Sequence, residues 1–215
     1  ASVNPKRQQE PHAHSIKPGP DNRFAYAADL GCDKVFIYRL DPEAGSLTPA
    51  DPAFAALEPG SGPRHFAFHP TLPRVYVLGE ILRTVTVFER NPDTGGLAPI
   101  QNLSTLPDDA EASGSTAEIL VSPDGKFVYS SNRGHDSISI FAVDPNDGKL
   151  ALIGTESTRG RTPRNFNLDP TGTWLLAANQ DTSNVAVFRR DANTGHLEPV
   201  GDTVDVPVPV CVLFY

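Results

Sequence analysis

The sequence predicts an all-β protein built from four β-propeller blades. One pattern runs four times along the 215 residues, and each copy opens on a proline and carries an aromatic residue, a glycine and a leucine at fixed later positions. A period of about 50 residues with several short alternating strands is typical of propeller blades, because solenoid repeats are mostly shorter and contain helices. No segment shows a sustained apolar period of 3.6 residues, so no helix is predicted. The four opening prolines are Pro20, Pro70, Pro123 and Pro170, and the repeated glycines are Gly45, Gly95, Gly148 and Gly195.

The third copy shows how one blade divides into strands. Alternating apolar residues between turn-forming residues predict four antiparallel strands, named A to D from the innermost to the outermost. They are predicted over residues 117–122, 127–132, 137–143 and 149–155. Residues 123–126 form the A–B turn, and Gly148 ends the C–D loop because glycine adopts a positive φ at little cost.

The repeats divide a single propeller domain over residues 1–215. The blades are predicted over residues 12–61, 62–114, 115–161 and 162–206. Residues 207–215 are again apolar at alternate positions and predict the start of a further innermost strand. A blade buries both faces against its neighbours, so the ring needs missing N-terminal blades, self-association with a second copy or closure of four blades on themselves. The extra strand favours a longer propeller.

Charge and cysteine content narrow the class of partner. The formal net charge of −8 argues against a nucleic acid or an anionic membrane, and no apolar run is long enough to span a bilayer. Cys32 and Cys211 lie at unrelated places of the repeat, so we expect free thiols and a cytoplasmic protein. Trp174, at the start of a strand B, is expected in the core.

Polar residues collect at one end of the predicted blades. The start of strand A and the end of strand B lie at the same end of an antiparallel sheet, so the residue six before each proline should face the residue nine after it, to within about one residue. These positions and their neighbours are rich in histidine, arginine and carboxylate, which predicts a functional rim. Strand A contributes His14, Arg64, His65, Glu118, Arg164 and Asn165, and strand B contributes Glu80, Arg133 and Gln180.

The residue types leave several roles open. Two guanidinium groups, those of Arg64 and Arg164, suit a phosphate or a carboxylate, although such arginines also pair with neighbouring acids. Glu80 is predicted near Arg64, either as a general acid or base or as its counter-ion. His12 and His14 have a spacing compatible with a metal site, but we favour a base or hydrogen-bonding role for His14.

These residues make the chain resemble the seven-bladed lactonase propellers, the family of propeller-type 6-phosphogluconolactonases and fungal carboxymuconate lactonising enzymes. The resemblance spans nearly the whole chain and corresponds to about the last four blades of the family. The blade pattern alone is less specific, because other propellers share it. The motifs that carry the resemblance are Pro11-His12-Ala13-His14-Ser15, Gly62-Pro63-Arg64-His65, Phe68-His69-Pro70, Tyr76-Val77-Leu78-Gly79-Glu80 and Pro163-Arg164-Asn165-Phe166.

The resemblance implies a lactone hydrolase without a metal or an organic cofactor. Its implied substrate is a small-molecule lactone, 6-phosphoglucono-δ-lactone of the pentose phosphate pathway, and the implied catalytic residues are His14, Arg64, Glu80 and Arg164. His14, with or without Glu80, would activate water, Arg64 would stabilise the oxyanion and Arg164 would hold the phosphate. The residues expected to bind substrate are His12, His65, Asn165 and Arg133. A carboxymuconate cycloisomerase and a non-catalytic propeller scaffold are the alternatives.

Overall fold

Residues 1–110 and 113–214 are described in the computed structural model, and within them the chain forms β-strands and turns without a helix. The chain divides into two units, Ala1–Leu103 and Ser104–Tyr215, and each unit contains two antiparallel sheets. Each sheet is a blade whose first four strands follow one another in sequence order. The all-β prediction and the blade repeat are therefore confirmed.

Blades 1 and 2 belong to the first unit. Blade 1 contains β1 (Ala13–Pro18), β2 (Phe24–Asp29), β3 (Lys34–Asp41) and β4 (Ser46–Ala56). Blade 2 contains β5 (Pro63–Phe68), β6 (Arg74–Gly79), β7 (Thr84–Arg90) and β8 (Leu97–Ser104). The inner strand β5 packs against β1 and β2, so the two blades meet along their inner strands.

Blades 3 and 4 belong to the second unit. Blade 3 contains β9 (Ser115–Val121), β10 (Phe127–Arg133), β11 (Ser137–Val143) and β12 (Leu150–Ser157). Blade 4 contains β13 (Pro163–Leu168), β14 (Trp174–Asn179), β15 (Asn184–Arg190), β16 (Leu197–Pro199) and β17 (Val204–Asp205). The last two are short pieces that both pair with β15. The strands predicted for the third copy agree with β9 to β12 to within two residues at each end.

The end of the chain differs from the sequence prediction. Residues 207–214, the described part of the predicted further strand, lie outside every strand. The Val212 backbone instead hydrogen-bonds to two side chains of β13, donating to Asn165 Oδ1 at 2.7 Å and accepting from Asn167 Nδ2 at 3.1 Å. These bonds tie the segment to blade 4 through side chains rather than through a backbone ladder. Tyr215 lies outside the described residues, and a further blade stays a prediction.

The expectation that Trp174 belongs to the core is wrong. Its side chain is 38% exposed, whereas the next residue, Leu175, is fully buried. Successive side chains of a strand point to opposite faces of the sheet, so β14 buries Leu175 and leaves the larger ring partly in solvent.

The cysteines are free thiols, as the sequence predicts. Cys32 is half-buried and Cys211 is exposed, and neither forms a disulfide. Among the described residues there is no helix of the length and apolar character needed to cross a membrane.

Each unit has an apolar core between its two blades. In the first unit the fully buried rings of Phe24 and Tyr26 from blade 1 pack with those of Phe66 and Phe88 from blade 2. Burying one such ring stabilises the fold by about 2–3 kcal/mol, so these repeated positions supply much of the force between blades. The corresponding rings of the second unit are Phe127, Tyr129, Phe166 and Phe188.

A tyrosine and a glycine join the blades of each unit. Tyr26 of β2 donates its hydroxyl to the Gly95 carbonyl at 2.9 Å, and Tyr129 of β10 donates to the Gly195 carbonyl at 2.8 Å. Gly95 has a φ of 76°, and a Cβ placed there would lie 2.6 Å from the Phe24 ring. The glycine is therefore needed both for its backbone conformation and for the close approach of the neighbouring blade.

An ion pair recurs beside this contact. Arg90 at the end of β7 lies 3.0 Å from Asp21 in the A–B turn of blade 1, and Arg190 at the end of β15 lies 2.9 Å from Asp124 in the A–B turn of blade 3. Both arginines are buried, with 9% of Arg90 and 7% of Arg190 exposed. A planar guanidinium thus fastens the outer part of one blade to the first turn of the preceding one.

Gly95→Ala and Gly45→Ala form a matched pair that measures this contact. Gly45 occupies the same repeat position with a φ of 60°, but a Cβ there would meet nothing within 4 Å. We expect Gly45→Ala to lower the free energy of unfolding by about 1 kcal/mol, the backbone cost alone, and Gly95→Ala by about 2–4 kcal/mol, since overpacking is added. Urea titration followed by circular dichroism measures both, and equal losses would contradict the contact described.

Candidate functional site

Every inner strand contains a β-bulge at the rim where the sequence predicts a site. In each blade strand A has one residue more than strand B across the irregular stretch: one strand A residue is unpaired in blades 1 and 4, and two lie opposite one in blades 2 and 3. A bulge sets two residues opposite one and turns a side chain out of the regular alternation. In blade 1 it makes Ala13, rather than His14, the partner of Asp29. The observed pairing is therefore displaced by one residue from the predicted pairing of His14 with Asp29, and this displacement is within the error of about one residue given for the prediction. The four bulges lie between Ala13 and Ser15, Pro63 and Phe66, Thr116 and Ile119, and Pro163 and Asn165.

Arg64, in the bulge of blade 2, is held by Glu80, which directly follows β6. Arg64 Nε lies 2.9 Å from Glu80 Oε2, and both side chains are only 4% exposed. The Glu80 backbone N–H donates to the Gly62 carbonyl at 2.8 Å, which fixes the base of the side chain. Arg7, from the segment before blade 1, approaches the second carboxylate oxygen, Oε1, to 2.6 Å. Because Glu80 serves two arginines, the geometry favours the counter-ion alternative over a general acid or base.

Two histidine rings lie beside this ion pair. The ring centroids of His14 and His65 are 5.0 Å apart with the planes at 67°, and Arg64 Nη1 lies 3.4 Å from His65 Nε2. Partial burial, and then the charges of Arg64 and His65, lower the pKa of His14 from 6.5 to about 4. The imidazole of His14 is therefore neutral near pH 7 and is able to accept a proton.

The first unit thus holds a fixed cation beside a proton acceptor. The Ser15 hydroxyl donates to the Arg64 carbonyl at 2.7 Å, which joins β1 to β5 where the two functional side chains emerge. A guanidinium held in place stabilises negative charge that develops on a nearby oxygen, and a neutral imidazole removes a proton from water. These are the groups required for attack of water on an ester carbonyl.

A cavity of about 380 Å³ opens between the N-terminal segment and β1. His12 and His14 both border it, and the His12 backbone N–H donates to Asp29 Oδ1 at 2.9 Å. In the described part of the chain no group of three or more histidine, cysteine or acidic side chains is placed to hold a metal ion, so the two histidines lack a third such ligand. The lining residues are Lys6, Arg7, His12, Ala13, His14 and Leu30.

The predicted residues of the second unit form a polar group of their own. Asn165 Nδ2 donates to Glu118 Oε2 at 2.6 Å, and Arg133 Nη2 donates to a backbone carbonyl of β9 at 2.9 Å. Arg164 Nη1 lies 3.4 Å from the neutral amide oxygen of Gln180. No acidic side chain among the described residues forms an ion pair with Arg164, which leaves its charge available to an anion.

The structure therefore groups the predicted residues by unit. Whether both groups line one pocket stays a prediction. Arg7 is a residue of the candidate site that sequence reasoning missed: it lies in a polar segment outside the repeats, where no periodic signal marks it. The sequence places Glu118 at the rim without assigning it a role, although this residue is 6% exposed and its carboxylate accepts the Ile119 backbone N–H. The first unit brings together His12, His14, Arg64, His65 and Glu80, and the second contains Arg133, Arg164 and Asn165.

The structure thus defines a propeller-type protein. Its candidate site lies at the bulged inner strands, where arginine, histidine and glutamate side chains meet. The family model described as "Lactonase, 7-bladed beta-propeller" matches residues 1–214. The chain belongs to this family of lactonase propellers.

The relatives include proteins with named activities. The chain is 43% identical over 209 residues to the 6-phosphogluconolactonase of Bacillus subtilis, covering 97% of this chain and 59% of that protein. The periplasmic gluconolactonase of Pseudomonas aeruginosa has a TM-score of 0.89 at 37% identity, covering 96% of this chain and 57% of the other. A protein from Lactobacillus plantarum has a TM-score of 0.92 at 35% identity, with 98% and 60% covered. The chain spans less than two thirds of the length of each of these relatives.

The titration of His14 tests the electrostatics of the site. We expect its ring protons, followed by NMR, to titrate with a pKa of about 4. In Arg64→Gln this pKa should rise, because a positive charge that disfavours the imidazolium has been removed. Arg23→Gln, which alters an exposed arginine of the same unit, is the matched control and should leave the titration unchanged. An equal pKa in the parent and in Arg64→Gln would show that the two groups are not neighbours.

Proposed function

We propose that this protein hydrolyses a lactone, and that its substrate is 6-phosphoglucono-δ-lactone. The observation that carries the proposal is the fixed Arg64 guanidinium beside the neutral imidazole of His14. Support comes from membership in the lactonase family and from the relative named 6-phosphogluconolactonase. The reaction is an acyl transfer to water that opens the ring and yields a sugar acid.

In the proposed reaction Arg64 stabilises negative charge and His14 transfers a proton. The lactone carbonyl oxygen faces the Arg64 guanidinium, and His14 accepts a proton from a water molecule as the water oxygen bonds to the carbonyl carbon. Arg64 stabilises the negative oxygen of the tetrahedral intermediate. When the carbonyl re-forms, the bond from the carbonyl carbon to the ring oxygen breaks, and the His14 imidazolium returns its proton to that oxygen. The product acid then ionises in water.

The other polar residues support this centre. Glu80 and Arg7 hold Arg64 in place through the shared carboxylate, so no charged side chain has to reorganise when the intermediate forms. His65, whose ring lies against the His14 ring and near the Arg64 guanidinium, would orient the substrate.

Two substitutions test the assignment in protein made with its natural termini. We expect His14→Gln and Arg64→Lys each to lower kcat for 6-phosphoglucono-δ-lactone by about a hundredfold, which is the usual size of losing a positioned base or an oxyanion donor. His196→Gln, an exposed histidine on another loop, is the control and should retain the parent rate. Hydrolysis is followed by proton release, with the uncatalysed rate subtracted.

Rates within twofold of the parent for both variants would remove His14 and Arg64 from the mechanism. Turnover of a carboxymuconate lactone without turnover of the sugar lactone would select the cycloisomerase alternative. Absence of turnover on either substrate by the parent protein would leave the scaffold alternative.

The dependence of kcat/KM on pH gives an independent test. His14 must be neutral in the free protein, and its pKa is about 4. The imidazole is therefore already deprotonated at about pH 5.5. Once kcat/KM has been corrected for ionisation of the substrate phosphate, whose second pKa is about 6, it should be level from there to about pH 7 and should fall as the pH drops through 4. A decline beginning near pH 6.5 would mean that His14 is not the base or that its surroundings differ from those described.

A further inference from the structure

The cavity beside β1 has a strongly cationic lining. Lys6 and Arg7 contribute two positive charges, His12 and His14 contribute two imidazoles, and no carboxylate is found among the described residues that line it. The whole chain, in contrast, carries a net charge of −8. A positive cavity on an acidic protein concentrates field lines and attracts anions.

Nearby acids do not cancel this charge. Glu80 is shared by Arg7 and Arg64, so two cations face one anion. The Asp29 carboxylate is 4% exposed and accepts the backbone N–H groups of His12 and Cys32. No described acidic side chain forms an ion pair with the Lys6 ammonium.

The N-terminal segment is held in a defined position on blade 1. Gln8 is fully buried, and its Nε2 donates at 2.8 Å both to the Leu30 carbonyl and to Asp33 Oδ1. The segment passes so close to Gly31 that a Cβ there would lie 1.9 Å from the Glu10 carbonyl oxygen. Lys6 and Arg7 are therefore attached to a fixed backbone, and their placement at the cavity is part of the fold.

We propose that the cavity lined by Lys6, Arg7, His12 and His14 binds the phosphate group of the substrate. A phosphate monoester dianion matches this lining in charge, and an arginine and a lysine are the side chains that most often bind phosphate. The volume of about 380 Å³ is of the size of a small-molecule site. This inference rests on the proposed lactone hydrolysis, and it assigns to the first unit the phosphate that the sequence assigned to Arg164.

The position of the cavity links phosphate binding to the reaction centre. His14 borders the cavity and also lies against His65 and Arg64, so a phosphate bound beside Lys6 brings the rest of the substrate to the Arg64 guanidinium. A dianion next to His14 favours the imidazolium and so raises the pKa of His14 above about 4. The bound substrate would thereby make His14 a stronger base. This favours catalysis, because a general base acts best when its pKa is near the working pH.

Equilibrium binding tests the site without requiring turnover. The probes are 6-phosphogluconate and gluconate, which differ only in the phosphate, and titration calorimetry on protein with its natural termini gives the ratio of their dissociation constants. We expect the parent to prefer the phosphorylated acid, and Lys6→Gln to reduce this preference about tenfold, the usual effect of losing one charge-assisted contact. Lys6→Arg, which keeps the charge, should restore most of it.

Two further variants complete the design. Lys126→Gln, which removes an exposed lysine from the A–B turn of blade 3, should leave the preference unchanged. Arg164→Gln, which removes the arginine that the sequence assigned to the phosphate, should also leave it unchanged, because the phosphate is bound by Lys6 and Arg7. The proposal is overturned if the parent shows no preference, if Lys6→Gln keeps it, or if Arg164→Gln alone removes it. Hydrolysis by the parent is measured separately, so failure of the lactonase proposal and failure of the phosphate site give different results.

Discussion

The extra residue in each inner strand is the constraint on which the candidate site depends. In a regular strand neighbouring side chains point to opposite faces, whereas the bulge of blade 2 sets Arg64 and His65 opposite a single residue. Arg64 therefore reaches Glu80 while His65 remains beside His14. The same distortion recurs in the other blades with different side chains. The fold provides the β-bulge, and the sequence of each blade determines which side chains lie at it.

Burial of the Arg64–Glu80 ion pair has a cost in stability and a benefit for the site. Removing one partner of a buried ion pair usually costs about 3–5 kcal/mol, because the other charge is left without compensation. Arg7 moderates this cost by giving Glu80 a second partner from a segment outside the blades. In return Arg64 is held with 4% of its side chain exposed, in surroundings where solvent weakens its charge less than at the surface. The low pKa of His14 follows from the same burial and the same neighbouring charge.

Local sequence signals account for most of the fold and for part of the site. The strands β9 to β12 follow from alternation and turn residues, which act over a few neighbouring positions. The bulge leaves almost no trace in a strand of six residues, so the register at His14 was off by one. Arg7 and Glu80 meet across 73 positions of sequence, and no periodic signal connects them. Trp174 was misplaced because strand membership does not tell which of two faces is buried.

The recurring ion pair between blades gives the chain a second and longer periodicity. Asp21 and Asp124 stand in the first turns of blades 1 and 3, and their partners Arg90 and Arg190 close the third strands of blades 2 and 4. The corresponding positions of blades 2 and 3 hold Thr71 and Val143, which are uncharged. The arginine–aspartate ion pair thus recurs once in every two blades rather than in every blade. A duplication that copies a pair of blades preserves this pairing in the daughter sequence, whereas one that copies a single blade separates a carboxylate from its guanidinium.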